Sequence, residues 1–174
     1  MELSGKRVLI PIGPDYQDLE VWYPKLRLTE AGAEVKCAGI GEEIYHGKNG
    51  YPIKVDLQVE ECSADDFDAV IIPGGWAPDK IRMNKHAVDL VRTMFNDGKV
   101  VAAICHAGWV LVSAGILEGK KVTSYVAIKD DMIAAGADWN DGEVIVDGNL
   151  ITSRKPDDLP AFCREIVKLL GSKN

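Results

Sequence analysis

The sequence has no closely spaced cysteine pair: Cys37, Cys62, Cys105 and Cys163 lie far apart along the chain. That spacing excludes a local Cys-x-x-Cys redox pair or zinc knuckle. Histidine is scarce, with only His46, His86 and His106, and no His-Glu-x-x-His run occurs, so no metal site is expected. Basic residues are outnumbered, 20 Lys and Arg against 27 Asp and Glu for a formal charge of −7, and they are scattered, so nucleic acid is not an expected partner. No Gly-x-Gly-x-x-Gly follows the first apolar run, where Ile12 leads into Gly13-Pro14-Asp15. The stretch Gly115 to Lys121 has too few residues between its glycines for a phosphate loop and lacks the Ser or Thr that would ligate magnesium. No cofactor is expected. The start, Met1 to Arg7, lacks the basic opening and long apolar core of a signal peptide, which predicts a cytoplasmic chain. One uncharged stretch, Val100 to Leu117, is just long enough to be considered as a membrane span. It holds His106, Gly108, Ser113 and Gly115, so a buried strand followed by a buried helix is the better reading, and no membrane partner is expected.

What is present is apolar material for one core: 174 residues, 47% of them hydrophobic, read as a single domain over residues 1–174. Strand-length apolar runs recur at Val8–Ile12, Val35–Ile40, Ala69–Ile72 and Val100–Ile104, with helical patterns after several of them. Continuous apolar character predicts strands covered on both faces, hence an α/β fold with a mostly parallel sheet in a three-layer sandwich. The first helix is predicted from Asp18 to Ala31-Gly32, and another from Lys85 to Phe95. Gly39 to Asp56 reads as an excursion of short strands, and Val144 to Thr152 as a hairpin turning at Asp147-Gly148-Asn149. A last helix after Pro156 carries an apolar stripe.

The chemistry-bearing stretch is Val100 to Trp109, where a buried strand ends at Cys105 and a helix follows at once, the pattern of a nucleophile elbow. Close packing at such a turn requires small residues two before and two after, and Ala103 and Ala107 supply them. A helix N-terminus is expected to lower the thiol pKa. The alternative is a buried apolar cysteine without chemistry, against which the adjoining His106 and the flanking alanines speak. His106 acts on the thiol only if the elbow turns its ring back, because adjacent residues on a helix diverge. The glycine pair Gly74-Gly75 ends another strand, either bringing backbone amides to an oxyanion or making an ordinary tight turn. Glu20 stands near a helix start, either complementing the dipole or serving a site. Cys37 and Cys163 read as core residues and Cys62 as exposed in an acidic loop. In a parallel sheet all carboxyl ends share one edge, so Glu20, Gly74-Gly75 and Cys105-His106 converge on one cleft, the equipment for attack on a carbonyl carbon.

Asp18-Leu19-Glu20 with Tyr23-Pro24, then Asp68 to Gly75, Ala103 to His106, and Thr123-Ser124-Tyr125 with Ile128 to Asp131 together resemble the PfpI-type intracellular protease family. That family belongs to the superfamily of the parkinsonism-associated deglycase and the class I glutamine amidotransferase-like domains. The resemblance covers nearly the whole chain. It implies a flavodoxin-like sandwich with Cys105 as nucleophile, Glu20 touching its thiol, and the Gly75 and His106 amides as oxyanion hole. It also implies a further acid meeting His106 across a subunit interface; its counterpart is Asp79, one methylene shorter than the Glu the family is expected to carry. Trp76 and Trp109 narrow the cleft, and with Tyr125 form the implied substrate pocket. The implied function is a cysteine hydrolase, either peptidase or glyoxalase/deglycase on methylglyoxal or its adducts, in a homo-oligomer, dimer or hexamer. The alternative is a stress-response chaperone or redox sensor that uses Cys105 oxidation.

Overall fold

Strands buried on both faces need helices to cover them, and the chain alternates accordingly. The computed structural model describes residues 1–173. The chain opens with β1 (Arg7–Ile12), α1 (Asp18–Glu30) and β2 (Glu34–Gly39), then makes β3 (Ile44–His46), β4 (Pro52–Lys54) and β5 (Leu57–Gln58). β6 (Ala69–Ile72) leads through α2 (Ala77–Ile81) and α3 (Lys85–Asn96) to β7 (Val100–Ile104) and α4 (Gly108–Ala114). The short strands β8 (Lys121–Val122) and β9 (Asp138–Trp139) flank α5 (Lys129–Ala134), and β10 (Val144–Asp147) and β11 (Leu150–Ser153) precede α6 (Leu159–Gly171).

The central sheet has seven strands in the order β10-β11-β7-β6-β1-β2-β5, parallel except for β10, which runs antiparallel to β11. α6 packs on β7 and β11 with α1 beside it, while α2, α3 and α4 form a second group against β1, β6 and β7. This is the flavodoxin-like sandwich expected. β6 and β7 have the predicted bounds; β1 and β2 each begin one residue earlier, where Arg7 pairs with Glu34. β2 stops before Ile40 because the Ile40 amide donates to the Tyr45 hydroxyl, 2.8 Å away, instead of continuing the ladder. Gly39 to Asp56 contains the antiparallel pair β3–β4. The predicted turn between β10 and β11 holds Gly148 at φ 61. On α6, Leu159, Phe162, Cys163, Ile166, Val167 and Leu170 are all buried, as their spacing predicts.

The uncharged run from Val100 divides into β7, a 3-10 turn over Cys105–Ala107, and α4. No described helix is long and apolar enough to cross a membrane. Cys62 is a correction: it is 4% exposed rather than a surface residue. The acidic residues beside it belong to two short 3-10 turns, Val59–Glu61 and Ala64–Asp66, and His86 Nε2 lies 3.0 Å from the Cys62 carbonyl oxygen.

What positions the site is the adjacency of β1, β6 and β7. Parallel neighbours end together, so Ile12, Ile72 and Ile104 release the chain along one sheet edge, where a crevice forms.

Candidate active site

β7 ends at Ile104 in extended backbone and Cys105 follows at φ 62, a left-handed conformation that a residue with a Cβ adopts only at a cost of about 1–2 kcal/mol. The packing that holds it there is dense: Ala103 and Ala107 are buried, and Cys105 itself is 8% exposed. The elbow does turn the next ring back, since His106 Nδ1 lies 3.2 Å from Cys105 Sγ.

Glu20 is fully buried two residues into α1, whose start is capped by the Gln17 side chain accepting from the Leu19 amide at 2.7 Å. Its Oε2 accepts a hydrogen bond of 2.7 Å from the Gly74 amide, while Oε1 is buried with no partner among the described residues. The carboxyl and the Cys105 thiol meet at Gly74, where an added Cβ would stand 2.4 Å from Oε2 and 3.1 Å from Sγ. Burial pushes the Glu20 carboxyl up to about 7, against the lowering effects of the Gly74 amide, the Cys105 contact and the charge of Lys48. Burial and then the Glu20 charge push the thiol up to about 12, opposed by hydrogen bonds from the Gly75 and His106 amides.

The expectation of a thiol lowered by a helix N-terminus is therefore corrected. α4 begins only at Gly108, and desolvation with an adjacent carboxylate outweighs the turn's amides. Two negative charges in contact in a dry site are costly, so the pair keeps one proton across neutral pH. With the proton on the Glu20 carboxyl the sulfur is a thiolate; with the proton on sulfur the carboxyl is ionised.

Gly74 is corrected as a hole donor, because its amide is occupied by Glu20. The glycine whose amide faces the sulfur is Gly75, at φ 75. His106 is half-buried, and burial followed by the Lys48 charge lowers its pKa, which leaves the imidazole neutral at pH 7. Trp76, Trp109 and Tyr125 surround that ring, with centroids at 5.5, 5.3 and 4.9 Å, Tyr125 in a stacked orientation. Trp109 is itself held by a 2.9 Å hydrogen bond from its indole to Asp131. Asp79 stands apart: its exposed carboxylate lies 3.6 Å from Lys80, and it makes no hydrogen bond to His106 among the described residues of this chain.

Sequence reasoning missed Asp18 and Lys48. Asp18 is buried and its carboxylate accepts from the Asn49 amide and side chain and the Tyr51 amide, at 3.0, 3.1 and 3.0 Å, stapling the 47–51 loop to the start of α1. Burial opposes its ionisation, yet the hydrogen bonds from Asn49 and Tyr51 win and hold its pKa below the ordinary value. The glycines on either side of Lys48-Asn49 were the available signal, since a Cβ at Gly47 would stand 2.3 Å from Asp18 Oδ1.

The model of the DJ-1/PfpI family matches residues 6–169. The Pyrococcus furiosus protein named deglycase PfpI is 49% identical over 164 residues, covering 94% of this chain and 99% of that one. A Bacillus subtilis protein provisionally named as a cysteine protease is 38% identical over 168 residues, covering 95% of this chain and 99% of the relative. The crystal structure of Drosophila melanogaster DJ-1beta superposes with a TM-score of 0.90 at 32% identity, covering 97% of this chain and 91% of that one.

Proposed function

This chain belongs to the DJ-1/PfpI family, and from that premise we propose that it is a cysteine enzyme of small reactive carbonyls, a glyoxalase or deglycase. Cys105 is the nucleophile, Glu20 and His106 carry protons, and the Gly75 and His106 amides receive the developing oxyanion. The observation that carries this reading is the contact of one thiol with a buried, half-neutral carboxyl on one side and a neutral imidazole at 3.2 Å on the other.

With methylglyoxal the thiolate adds to the aldehyde carbon, and the former carbonyl oxygen takes up the proton held by Glu20. A base then moves the aldehyde-carbon proton to the neighbouring carbon while the thiohemiacetal hydroxyl proton passes to the ketone oxygen, giving a lactoyl thioester, which water hydrolyses to lactate and the free thiol. Water is the only co-reactant, and the oxidation of one carbon balances the reduction of the next. A carboxyl with a pKa of about 7 is poised to exchange a proton near neutrality, and a neutral His106 can accept one.

Small substrates are favoured because Cys105 is 8% exposed and the ring wall of Trp76, Trp109 and Tyr125 stands over His106. The naming of the Bacillus subtilis relative supports a second reading, peptidase activity through the same carbonyl attack. The family resemblance further supports a homo-oligomer in which Asp79, exposed in the single chain, would meet His106 of a second copy.

The test is methylglyoxal consumption with lactate detection, run beside a fluorogenic peptide panel. Cys105→Ala is expected to keep the fold and lose turnover by on the order of 10³-fold or more. Peptide hydrolysis without lactate would move the assignment to peptidase. No turnover of either, with peroxide-dependent mass gain at Cys105, would replace the enzyme with a redox sensor.

A further inference from the structure

Lys48 lies in a loop that the structure builds onto the site. Its amide donates to the Tyr16 carbonyl at 2.9 Å, Gly47 bridges Tyr16 in parallel, and Tyr16 bridges Gly75 from its other side. Three chain segments thus lie side by side at the rim of the cleft, which sets Lys48 two strand spacings, roughly 10 Å, from the backbone of Gly75. The loop is held by the buried Asp18 carboxylate, and by the Tyr16 hydroxyl donating to the Tyr51 carbonyl. The Lys48 ammonium makes no ion pair among the described residues, and its charge acts on both Glu20 and His106.

Neighbouring cations are already engaged. Arg82 donates to the Ser113 hydroxyl at 3.0 Å with its guanidinium 5.8 Å from the centre of the Trp109 ring, and Arg154 is paired with Asp141 and Asp158. A positive charge on a braced loop two strand spacings from Gly75, at the rim of the cleft, is equipment for a second anchoring point on the substrate.

We propose that Lys48 is a specificity residue that gives this site a preference for dicarbonyls bearing a carboxylate, pairing with that group while the aldehyde end meets Cys105. The inference rests on the carbonyl-enzyme reading above and extends it to substrate class. The chemistry is unchanged: a 2-oxoaldehyde and water give a 2-hydroxy acid, with the distal carboxylate as a spectator.

The experiment compares methylglyoxal with 4,5-dioxopentanoate, the same dicarbonyl lengthened by a carboxylate-bearing arm, in the wild type, Lys48→Gln and Lys48→Arg. Loss of one charge-assisted contact is expected to lower the ratio of kcat/KM for the acidic over the neutral substrate about tenfold in Lys48→Gln, through KM. Lys48→Arg is expected to retain the ratio, since it keeps the charge. A ratio in Lys48→Gln within about twofold of wild type, with methylglyoxal still consumed, overturns this proposal and leaves the enzyme reading standing. A wild type that consumes neither dicarbonyl overturns both.

Discussion

Replacing Glu20 by Gln is expected to stop carbonyl turnover and, above neutral pH, to make the fold more stable. Burial raises this carboxyl from 4.5 to about 7. Between those values the folded chain holds a proton that the unfolded chain has lost, so the group's stabilising contribution is complete below about 4.5 and disappears as pH rises through about 7. Beyond that point the folded protein carries a buried anion whose Oε1 has no partner among the described residues. Glutamine has the shape of the protonated carboxyl and keeps an oxygen for the Gly74 amide. Urea unfolding should find Glu20→Gln more stable than wild type by about 3 kcal/mol at pH 8, with the difference closing toward zero at pH 4. Turnover should fall on the order of 10²- to 10⁴-fold, since the amide gives up no proton. A variant less stable than wild type at pH 8 would mean that ionised Glu20 is net stabilising and would remove the physical basis for its proton-transfer role. Activity here is set against stability, as sites with desolvated ionisable groups require.

Gly75→Ala should be the most damaging of the glycine substitutions in the cleft, and Gly98→Ala supplies its control. The two glycines have nearly the same backbone angle, φ 75 and φ 73. They differ in space: a Cβ on Gly75 would stand 2.3 Å from the Gln17 amide nitrogen and 2.6 Å from the Asp15 carbonyl oxygen, whereas one on Gly98 meets nothing within 4 Å. Alanine at Gly98 should therefore cost about 1 kcal/mol, the strain of a left-handed residue alone. At Gly75 the same strain is joined by a clash with backbone that has no rotamer to change, and the cost should reach roughly 3 kcal/mol or more. The Tyr16 bridge would open and the Gly75 amide would leave the sulfur, so activity should fall with stability. Chemical denaturation of both variants checks this; equal costs would show that the Asp15–Gln17 segment yields freely and is no rigid wall of the site.

The elements easiest to read were those whose physics is local. β6 and β7 are uninterrupted apolar runs with the predicted ends, α6 shows a helical stripe, and the small residues around Cys105 announce a turn between packed elements. The misreadings share another property. The acidic residues beside Cys62 imply exposure, yet its own side chain turns inward. The helix after Cys105 implies a lowered thiol pKa, but burial and then the charge of Glu20, far earlier in the chain, raise it. Gly74 and Gly75 look equivalent in sequence, but one amide serves the carboxylate and the other faces the sulfur. Lys48 gave no signal of its own because its placement depends on hydrogen bonds from its loop to Asp18.

By itself, the sequence determined the alternation of strands and helices, the elbow at Cys105 and the convergence of strand ends on one edge. Periodicity and residue size act over a few positions and need no knowledge of distant neighbours. The tertiary structure alone decided that Glu20 is buried beside Cys105, that the Gly74 amide is already occupied, and that the Lys48 loop runs along Tyr16. Desolvation and Coulomb energies depend on distances between segments remote in the chain, and those distances exist only once the sheet has brought the segments together.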